Sequence, residues 1–197
     1  GLVFVSADDP SQHSSGQEQD NRWLAKMNCV PVLEPSNPQD AKDYTRYAFE
    51  LSERVRLPVM IRTVTRLSHM RSDVVLGLLN DQRRVPEFDW DGFSYRVAGF
   101  DKLFYREKEL NEKLGRVRDE FERIGFNKLK MEGGEKFGFV GVGFAFNYVL
   151  DSVKRMGVER DAAHLKLATS HPLPEGLVGG LLRGVDQVLV AEEVDPF

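Results

Sequence analysis

Residues 30–63 read VPVLEPSNPQDAKDYTRYAFELSERVRLPVMIRT and contain a short apolar run, a helical pattern and a second apolar run. The first run, Val30 to Leu33, is typical of a buried strand, and so is the second, Pro58 to Thr63. Between them, Asn37 is a favourable N-cap and Pro38 suits the first helical position. One face of the helix then carries apolar side chains at three- and four-residue spacing, which are Ala41, Tyr44, Ala48, Leu51 and Val55. A helix of this length between two strands predicts a parallel βαβ crossover.

The same alternation extends upstream of this unit. Leu2 to Val5 predicts a strand, and Trp23 to Met27 predicts a short helix. Two polar segments follow predicted strands, because Ser6 to Asn21 comes after the first strand and Val64 to His69 comes after the third. Ligand sites of parallel sheets gather beyond the carboxyl ends of the strands, so we expect these two segments to face the same site.

A second unit of alternating strands and helices occupies the last third of the chain. It comprises the predicted strands Phe137 to Val142, His164 to Ala168 and Gln187 to Ala191 and the predicted helices Ala145 to Met156 and Pro174 to Arg183. Between the units, an apolar stripe from Asp101 to Ile124 predicts a long amphipathic helix, preceded by an extended connector from about Asn80 to Gly99. We therefore expect an α/β protein with two small parallel-sheet βαβ domains joined by this helix, with segments 1–80, 81–130 and 131–197.

Composition narrows the classes of function. The 197 residues carry 27 Lys and Arg, 31 Asp and Glu and a net charge of -4, and 41% of them are hydrophobic. This content suffices for folded cores, and the interspersed charges argue against nucleic acid or an anionic membrane as partner. The single cysteine, Cys29, cannot form an internal disulfide or a cysteine-ligated zinc or iron-sulfur site, so we expect a reducing cytoplasm. Because the chain starts within a strand and lacks an initiator Met, we expect a fragment.

The densest polar stretch runs from Asp8 to Arg22. Hydroxyl, carboxamide, carboxylate, imidazole and guanidinium groups packed this closely can hold a polar ligand through oriented hydrogen bonds. Arg22 could bind a carboxylate bidentately. A surface loop whose Asp and Ser side chains only cap turns is the more frequent origin of such a composition. The spacing of Asp8, Asp9 and Asp20 matches no metal-binding loop, so no metal site is predicted.

Three further places carry groups that could act chemically. Arg66, Ser68 and His69 lie where a ligand contact is expected, although a lone histidine in a loop more often only satisfies local hydrogen bonds. Gly141-Val142-Gly143 resembles half of a dinucleotide-binding fingerprint. It lacks the third glycine, so close backbone packing is the favoured explanation and a nicotinamide-dependent dehydrogenase is a weak alternative. Glu192-Glu193 is interpreted as an exposed strand end.

Ordered motifs along the whole chain resemble one enzyme family. Those of the first unit are Ala7-Asp8-Asp9-Pro10, His13-Ser14-Ser15, Glu18-Gln19-Asp20-Asn21-Arg22, Glu34-Pro35-Ser36 and Thr65-Arg66-Leu67-Ser68-His69. Those of the second are Gly141-Val142-Gly143, Asn147-Tyr148-Val149, His171-Pro172-Leu173-Pro174 and Val188-Leu189-Val190-Ala191-Glu192-Glu193-Val194-Asp195-Pro196. Together they resemble the alpha subunits of indolepyruvate ferredoxin oxidoreductases, a branch of the thiamine-diphosphate-dependent 2-oxoacid:ferredoxin oxidoreductases.

The resemblance implies an activity and the parts that perform it. Such enzymes decarboxylate aryl 2-oxoacids oxidatively, form an aryl-acetyl-CoA and pass the electrons to ferredoxin. By this likeness, residues 1–80 would be the later part of a thiamine pyrimidine-binding domain, and residues 131–197 a transketolase C-terminal-like domain. Thiamine diphosphate with Mg²⁺ and 4Fe-4S clusters would serve the parent enzyme. The implied partners are the rest of the alpha chain, a smaller beta subunit, ferredoxin, CoA and the aryl 2-oxoacid.

The resemblance also implies which residues form the site. The catalytic positions would be His13, Arg22, Arg66 and His69. The cofactor-binding positions would be Ser14, Ser15, Glu18, Asp20 and Asn21. Either Arg22 or Arg66 would suit the carboxylate of the 2-oxoacid, and no residue is assigned to a metal.

Departures from the family pattern restrict what the chain is expected to do alone. Gly16-Gln17 stands before Glu18 where such enzymes usually read Gln-Asn. The thiamine-activating glutamate, the Gly-Asp-Gly motif for the diphosphate and Mg²⁺, and the cluster cysteines are missing from the sequence. We therefore expect no cofactor to bind fully to this chain and expect it to be inactive alone. The alternative function is that of a non-catalytic flavodoxin-like assembly or CoA-binding module.

Overall fold

The computed structural model describes residues 1–79, Val85 and 100–197. The strands are β1 (Val3–Asp8), β2 (Val32–Leu33), β3 (Val59–Val64), β4 (Lys128–Lys130), β5 (Phe137–Val142), β6 (Ala162–Leu167), β7 (Thr169–His171) and β8 (Gln187–Ala191). The helices are α1 (Arg22–Met27), α2 (Pro38–Val55), α3 (Thr65–Ser68), α4 (Phe100–Phe121), α5 (Ala145–Met156) and α6 (Glu175–Gly184). A 3-10 turn spans Pro10–Gln12. The connector predicted from about Asn80 to Gly99 lies outside the described residues, apart from Val85.

The first sheet has the strand order β1-β3-β2-β7. β1 and β3 are parallel and in register from Val3 opposite Val59 to Asp8 opposite Val64, so both strands end at the same edge. The crossover helix α2 begins as the sequence predicts, because the side chain of Asn37 accepts a hydrogen bond of 2.9 Å from the backbone N–H of Asp40.

The second sheet has the order β4-β6-β5-β8. β5 is its centre and pairs in parallel with both β6 and β8. Helix α5 follows β5 and ends at Gly157, whose φ of +67° places it in the left-handed region that stops a helix. The predicted α/β architecture of two small, mostly parallel sheets is confirmed.

Two short antiparallel strands were not predicted from the sequence. β4 pairs with β6, and β7 pairs with β2 of the first sheet, so the chain moves from the second sheet to the first immediately after β6. The buried Asn127 holds this crossing, since its side-chain oxygen accepts from the N–H of Ala168 at 2.8 Å and its amide donates to the Thr169 hydroxyl at 2.9 Å. The division into segments 1–80, 81–130 and 131–197 stays a prediction. β7 lies in the last of these segments but belongs to the first sheet.

The long helix belongs to the core of the first sheet. Val117 and Phe121 of α4 are fully buried and pack with Leu33, Leu51 and Ile61. An ion pair of 2.5 Å between Lys166 on β6 and Asp40 on α2 adds a contact between the two units. These contacts pack α4 and β6 against the first unit.

Candidate functional site

A cleft of about 320 Å³ opens at the carboxyl ends of β1 and β3. It forms there because β1 continues into the polar loop and β3 continues directly into the short helix α3. Backbone and side-chain groups of both segments line it, namely Ala7, Asp8, Asp9, Ser14, Ser15, Gln19, Thr65, Ser68 and His69. The two polar segments that the sequence analysis expected at one site therefore do face one cleft.

Asp9 holds one wall of the cleft in place. Its carboxylate accepts backbone N–H bonds from His13 at 3.0 Å, Ser14 at 2.8 Å and Ser15 at 2.6 Å. The hydroxyl of Thr65 at the start of α3 donates to the same carboxylate at 2.6 Å. The Thr65 hydroxyl and the backbone N–H groups lower the pKa of Asp9 well below its usual range. An ionised Asp9 thus ties the loop to the end of β3.

Asp8 ties down the other end of the same loop. Its carboxylate accepts from the backbone N–H of Asn21 at 3.0 Å, the Asn21 amide at 2.8 Å and the Ser6 hydroxyl at 2.9 Å. It also accepts from Nε of Arg62 at 2.6 Å. Since Asp8 and Asp9 are neighbours, the segment from His13 to Asn21 begins and ends at the tip of β1.

Arg62 lies behind the cleft in the middle of β3 and was not singled out from the sequence. Its Nη1 donates to Glu34 at 2.7 Å, and its Nη2 lies 3.7 Å from Asp20. Both Arg62 and Glu34 are buried. The sequence carried one signal for this network, because Arg62 is the single charged residue of a largely apolar strand. A buried charge requires buried partners of opposite sign.

Arg22, predicted as a catalytic residue, is fully buried at the start of α1. Its Nε donates to Asp20 at 2.8 Å and its Nη1 to Glu192 at 2.6 Å. Its Nη2 donates to the backbone carbonyls of Glu193 at 2.9 Å and Asp195 at 2.8 Å. Every nitrogen of this guanidinium is thus engaged by the chain itself. Through these contacts Arg22 connects the polar loop to residues 192–195.

Arg66 and His13, two other predicted catalytic residues, are in contact beside the cleft. Nη2 of Arg66 lies 3.1 Å from Nε2 of His13, and Nη1 donates to Glu193 at 2.8 Å. Burial raises the pKa of Glu193, and the nearby Arg66 opposes that rise. The interpretation of Glu192-Glu193 as an exposed strand end is wrong for both side chains, which are 17% and 10% exposed. The chain turns back after β8 and lays them against the first unit.

The remaining predicted residues divide by position. Ser14, Ser15 and His69 line the cleft. Asp20 and Asn21 support the loop, because Asp20 pairs with Arg22 and Asn21 with Asp8. Although burial acts to raise the pKa of Asp20, the hydrogen bonds from Arg22 lower it. Glu18 is exposed and accepts from the backbone N–H of Ser11 at 2.7 Å.

Gly141 within β5 and Gly143 directly after it allow close packing, as favoured from the sequence. A Cβ on Gly141 would lie 2.5 Å from Cα of Phe146, and one on Gly143 would lie 2.9 Å from Cβ of Glu34. Gly143 also has a φ of +51°, which other residues rarely adopt. Gly141 lets α5 pack closely on β5, and Gly143 lets the chain approach Glu34.

The donor set of the described residues fits some ligands and not others. The cleft is lined by hydroxyls, one imidazole, one carboxamide and two carboxylates, which fit a polar organic molecule. Within residues 1–79 and 100–197, no group of three or more His, Cys, Asp or Glu is placed to hold a metal ion. The chain has one cysteine, so its thiols cannot ligate a 4Fe-4S cluster. In the described part of the chain, no helix is both long and apolar enough to span a membrane.

Comparison with known proteins identifies relatives along the entire chain. No protein-family model matches it. It is 44% identical over 204 residues to the indolepyruvate oxidoreductase subunit IorA of Methanothermobacter marburgensis, which covers 99% of this chain and 31% of that protein. It is 40% identical over 200 residues to IorA of Thermococcus kodakarensis, covering 100% of this chain and 31% of that protein. The 2-oxoglutarate synthase subunit KorA of Methanocaldococcus jannaschii is 27% identical over 88% of this chain and 56% of its own length. The chain therefore spans about a third of the IorA relatives it matches.

Solved structures share the fold at low sequence identity. A 2-oxoglutarate:ferredoxin oxidoreductase from Magnetococcus marinus, solved with 2-oxoglutarate, coenzyme A and succinyl-CoA, superposes with a TM-score of 0.70 and 14% identity. The overlap covers 98% of this chain and 41% of that one. A split-gene transketolase superposes with a TM-score of 0.51 and 17% identity, covering 96% of this chain and 47% of that one. These likenesses support the two-sheet arrangement of the fold.

Proposed function

We propose that the chain belongs to the family of indolepyruvate oxidoreductase IorA subunits and is part of an aryl 2-oxoacid:ferredoxin oxidoreductase. The proposed reaction is the oxidative decarboxylation of indolepyruvate or another arylpyruvate to an aryl-acetyl-CoA, with the electrons passing to ferredoxin. The 44% identity to an IorA relative over 99% of this chain and 31% of that protein favours aryl substrates over 2-oxoglutarate, because a 2-oxoglutarate synthase subunit is 27% identical.

The observation that carries the proposal is the cleft at the ends of β1 and β3. Ser14 and Ser15 from one segment and His69 from the other meet there, and the motifs that contain them carried the family resemblance. We assign direct ligand contacts to these three side chains. The hydroxyls and the imidazole can orient a polar ligand by hydrogen bonds and exclude water from one side of it.

The predicted residues around the cleft take different roles in this proposal. Arg66 is 30% exposed and keeps N–H groups that can receive the carboxylate of a 2-oxoacid beside His13. Arg22 acts as a positioning residue, since its guanidinium fixes the loop through Asp20. Asn21 supports the same loop from its far end. Glu18 stabilises the turn at Ser11 and reaches no ligand from its place outside the cleft.

The cofactors and partners follow from the donor set and from the length of the relatives. One cysteine cannot ligate a 4Fe-4S cluster, and the sequence lacks a Gly-Asp-Gly motif for Mg²⁺-diphosphate, so we propose that other parts of the assembly hold these groups. Those parts would be the rest of an alpha chain and a smaller beta subunit. Residues 1–80 would then supply the later part of the thiamine pyrimidine-binding domain, and residues 131–197 a transketolase C-terminal-like domain.

A turnover assay on the assembly that contains this chain tests the proposal. The assembly is purified without oxygen through a tag on this chain and given arylpyruvate, CoA and a viologen dye. We expect dye reduction that requires both CoA and the 2-oxoacid, with kcat/KM for an aryl 2-oxoacid at least about tenfold above that for 2-oxoglutarate. A folded assembly that fails to reduce the dye with every 2-oxoacid tested would contradict the function. A preference for 2-oxoglutarate would contradict the aryl substrate.

A further inference from the structure

The last six residues of the chain lie across the first unit. We call residues 192–197 the C-terminal strap. Arg22 holds its beginning and middle through Glu192 and the carbonyls of Glu193 and Asp195. Its last residue makes an aromatic contact with α1, because the ring of Phe197 lies edge-on to that of Trp23 with centroids 5.1 Å apart. The strap is therefore a fixed element against α1.

One strap side chain points away from Arg22 and toward the cleft. Oε1 of Glu193 accepts from Nη1 of Arg66 on α3 at 2.8 Å, and Nη2 of Arg66 lies 3.1 Å from Nε2 of His13 in the loop. Glu193, Arg66 and His13 thus form a row that connects three separate segments of the chain. Only the middle member carries a long flexible stem, and the ion pair with Glu193 restricts its rotation.

The row also determines which nitrogen of His13 carries the proton. A guanidinium can only donate, so Nε2 of His13 must accept the hydrogen bond from Arg66. A neutral imidazole that accepts at Nε2 carries its hydrogen on Nδ1. The contact therefore selects the Nδ1–H form of His13 as long as Arg66 keeps its orientation.

We propose that Glu193 is a positioning residue of the cleft, which fixes the guanidinium plane of Arg66 and thereby the tautomer and orientation of His13. The inference rests on the proposed function, because it concerns how that site is arranged for an anionic 2-oxoacid. Glu193 itself reaches no ligand. It keeps one edge of Arg66 occupied, so that the remaining N–H groups point in a constant direction beside the cleft.

The tautomer of His13 is the first readout and needs no turnover. Nitrogen-15 NMR of the histidine rings is recorded for the purified assembly above the pH at which imidazoles are charged. We expect the Nδ1–H form of His13 in the native chain and a shift toward Nε2–H in E193Q. R66Q removes the same contact from the other side and is expected to give the same shift. E175Q, which neutralises a 68% exposed glutamate on α6, is the matched control and should leave the spectrum unchanged.

Kinetics of the assembly are the second readout and separate this inference from the proposed function. We expect E193Q to raise KM for the arylpyruvate about tenfold while kcat changes less than about threefold, because an orienting contact is lost and the reacting groups remain. A native His13 spectrum and native KM in E193Q would overturn the positioning role. A tautomer shift in E193Q, together with a native assembly that turns over no 2-oxoacid, would uphold the positioning role and overturn the proposed function.

Discussion

Replacing Arg22 with methionine is expected to lower the free energy of unfolding of the chain by about 3–5 kcal/mol. Methionine keeps much of the apolar stem and removes the charge, so the loss is electrostatic. Asp20 and Glu192, with side chains 3% and 17% exposed, would lose the cation that compensates their burial. The carbonyls of Glu193 and Asp195 would lose their donor as well. The expected change is large because the partners left behind are buried.

Urea unfolding followed by circular dichroism measures this effect. The matched control is R46M, which removes an arginine paired with Glu50 on α2, where the two side chains are 65% and 53% exposed. An exposed pair contributes little, so R46M is expected to change stability by less than about 0.5 kcal/mol. Equal stability of R22M and R46M would show that the contacts of Arg22 with the loop and the strap do not stabilise the fold.

Replacing Asp9 with asparagine is expected to lower kcat/KM of the assembly for arylpyruvate at least about 100-fold. The carboxylate of Asp9 accepts four bonds, from the N–H groups of His13, Ser14 and Ser15 and the hydroxyl of Thr65. An asparagine side chain offers one acceptor oxygen and turns two N–H groups toward these donors. The wall formed by Ser14 and Ser15 would lose its orientation.

The control for this variant is D151N on the exposed surface of α5, where Asp151 pairs with Arg155. It makes the same chemical change at a side chain that is 56% exposed and does not line the cleft, and it is expected to leave turnover unchanged. The pKa of Asp9 is lower in the native state than in the unfolded chain, so its ionised form stabilises the fold at neutral pH. This stability is lost as the pH falls through the acidic range below the pKa that Asp9 has in the unfolded chain. Native-like turnover by D9N would mean that this wall takes no part in catalysis.

Elements with local signals were predictable from the sequence. β5 and α5 match their predicted bounds because an apolar run, a helical stripe and the terminating Gly157 all lie within one short segment. The start of α2 was predictable for the same reason, since Asn37 and Pro38 are adjacent. Each of these patterns is satisfied within about 20 residues of chain and needs no distant partner.

Elements that depend on distant pairing were not predictable. β7 consists of Thr169, Ser170 and His171, a polar segment that becomes a strand only because β2 lies beside it. At the site, composition indicated a polar cleft but not which side chains face it. The burial of Arg22 and of Glu193 arises from contacts more than 100 residues apart in sequence, as the separation of Arg22 from Glu192 by 170 positions illustrates. Local residue patterns hold no information on such pairs.

A structure of the purified assembly with an arylpyruvate bound tests the central claim most directly. We predict that the 2-oxoacid lies at the carboxyl ends of β1 and β3, in van der Waals contact with Ser14, Ser15 or His69, with its carboxylate toward Arg66. A ligand found in another part of the assembly, with these side chains facing solvent, would contradict the account.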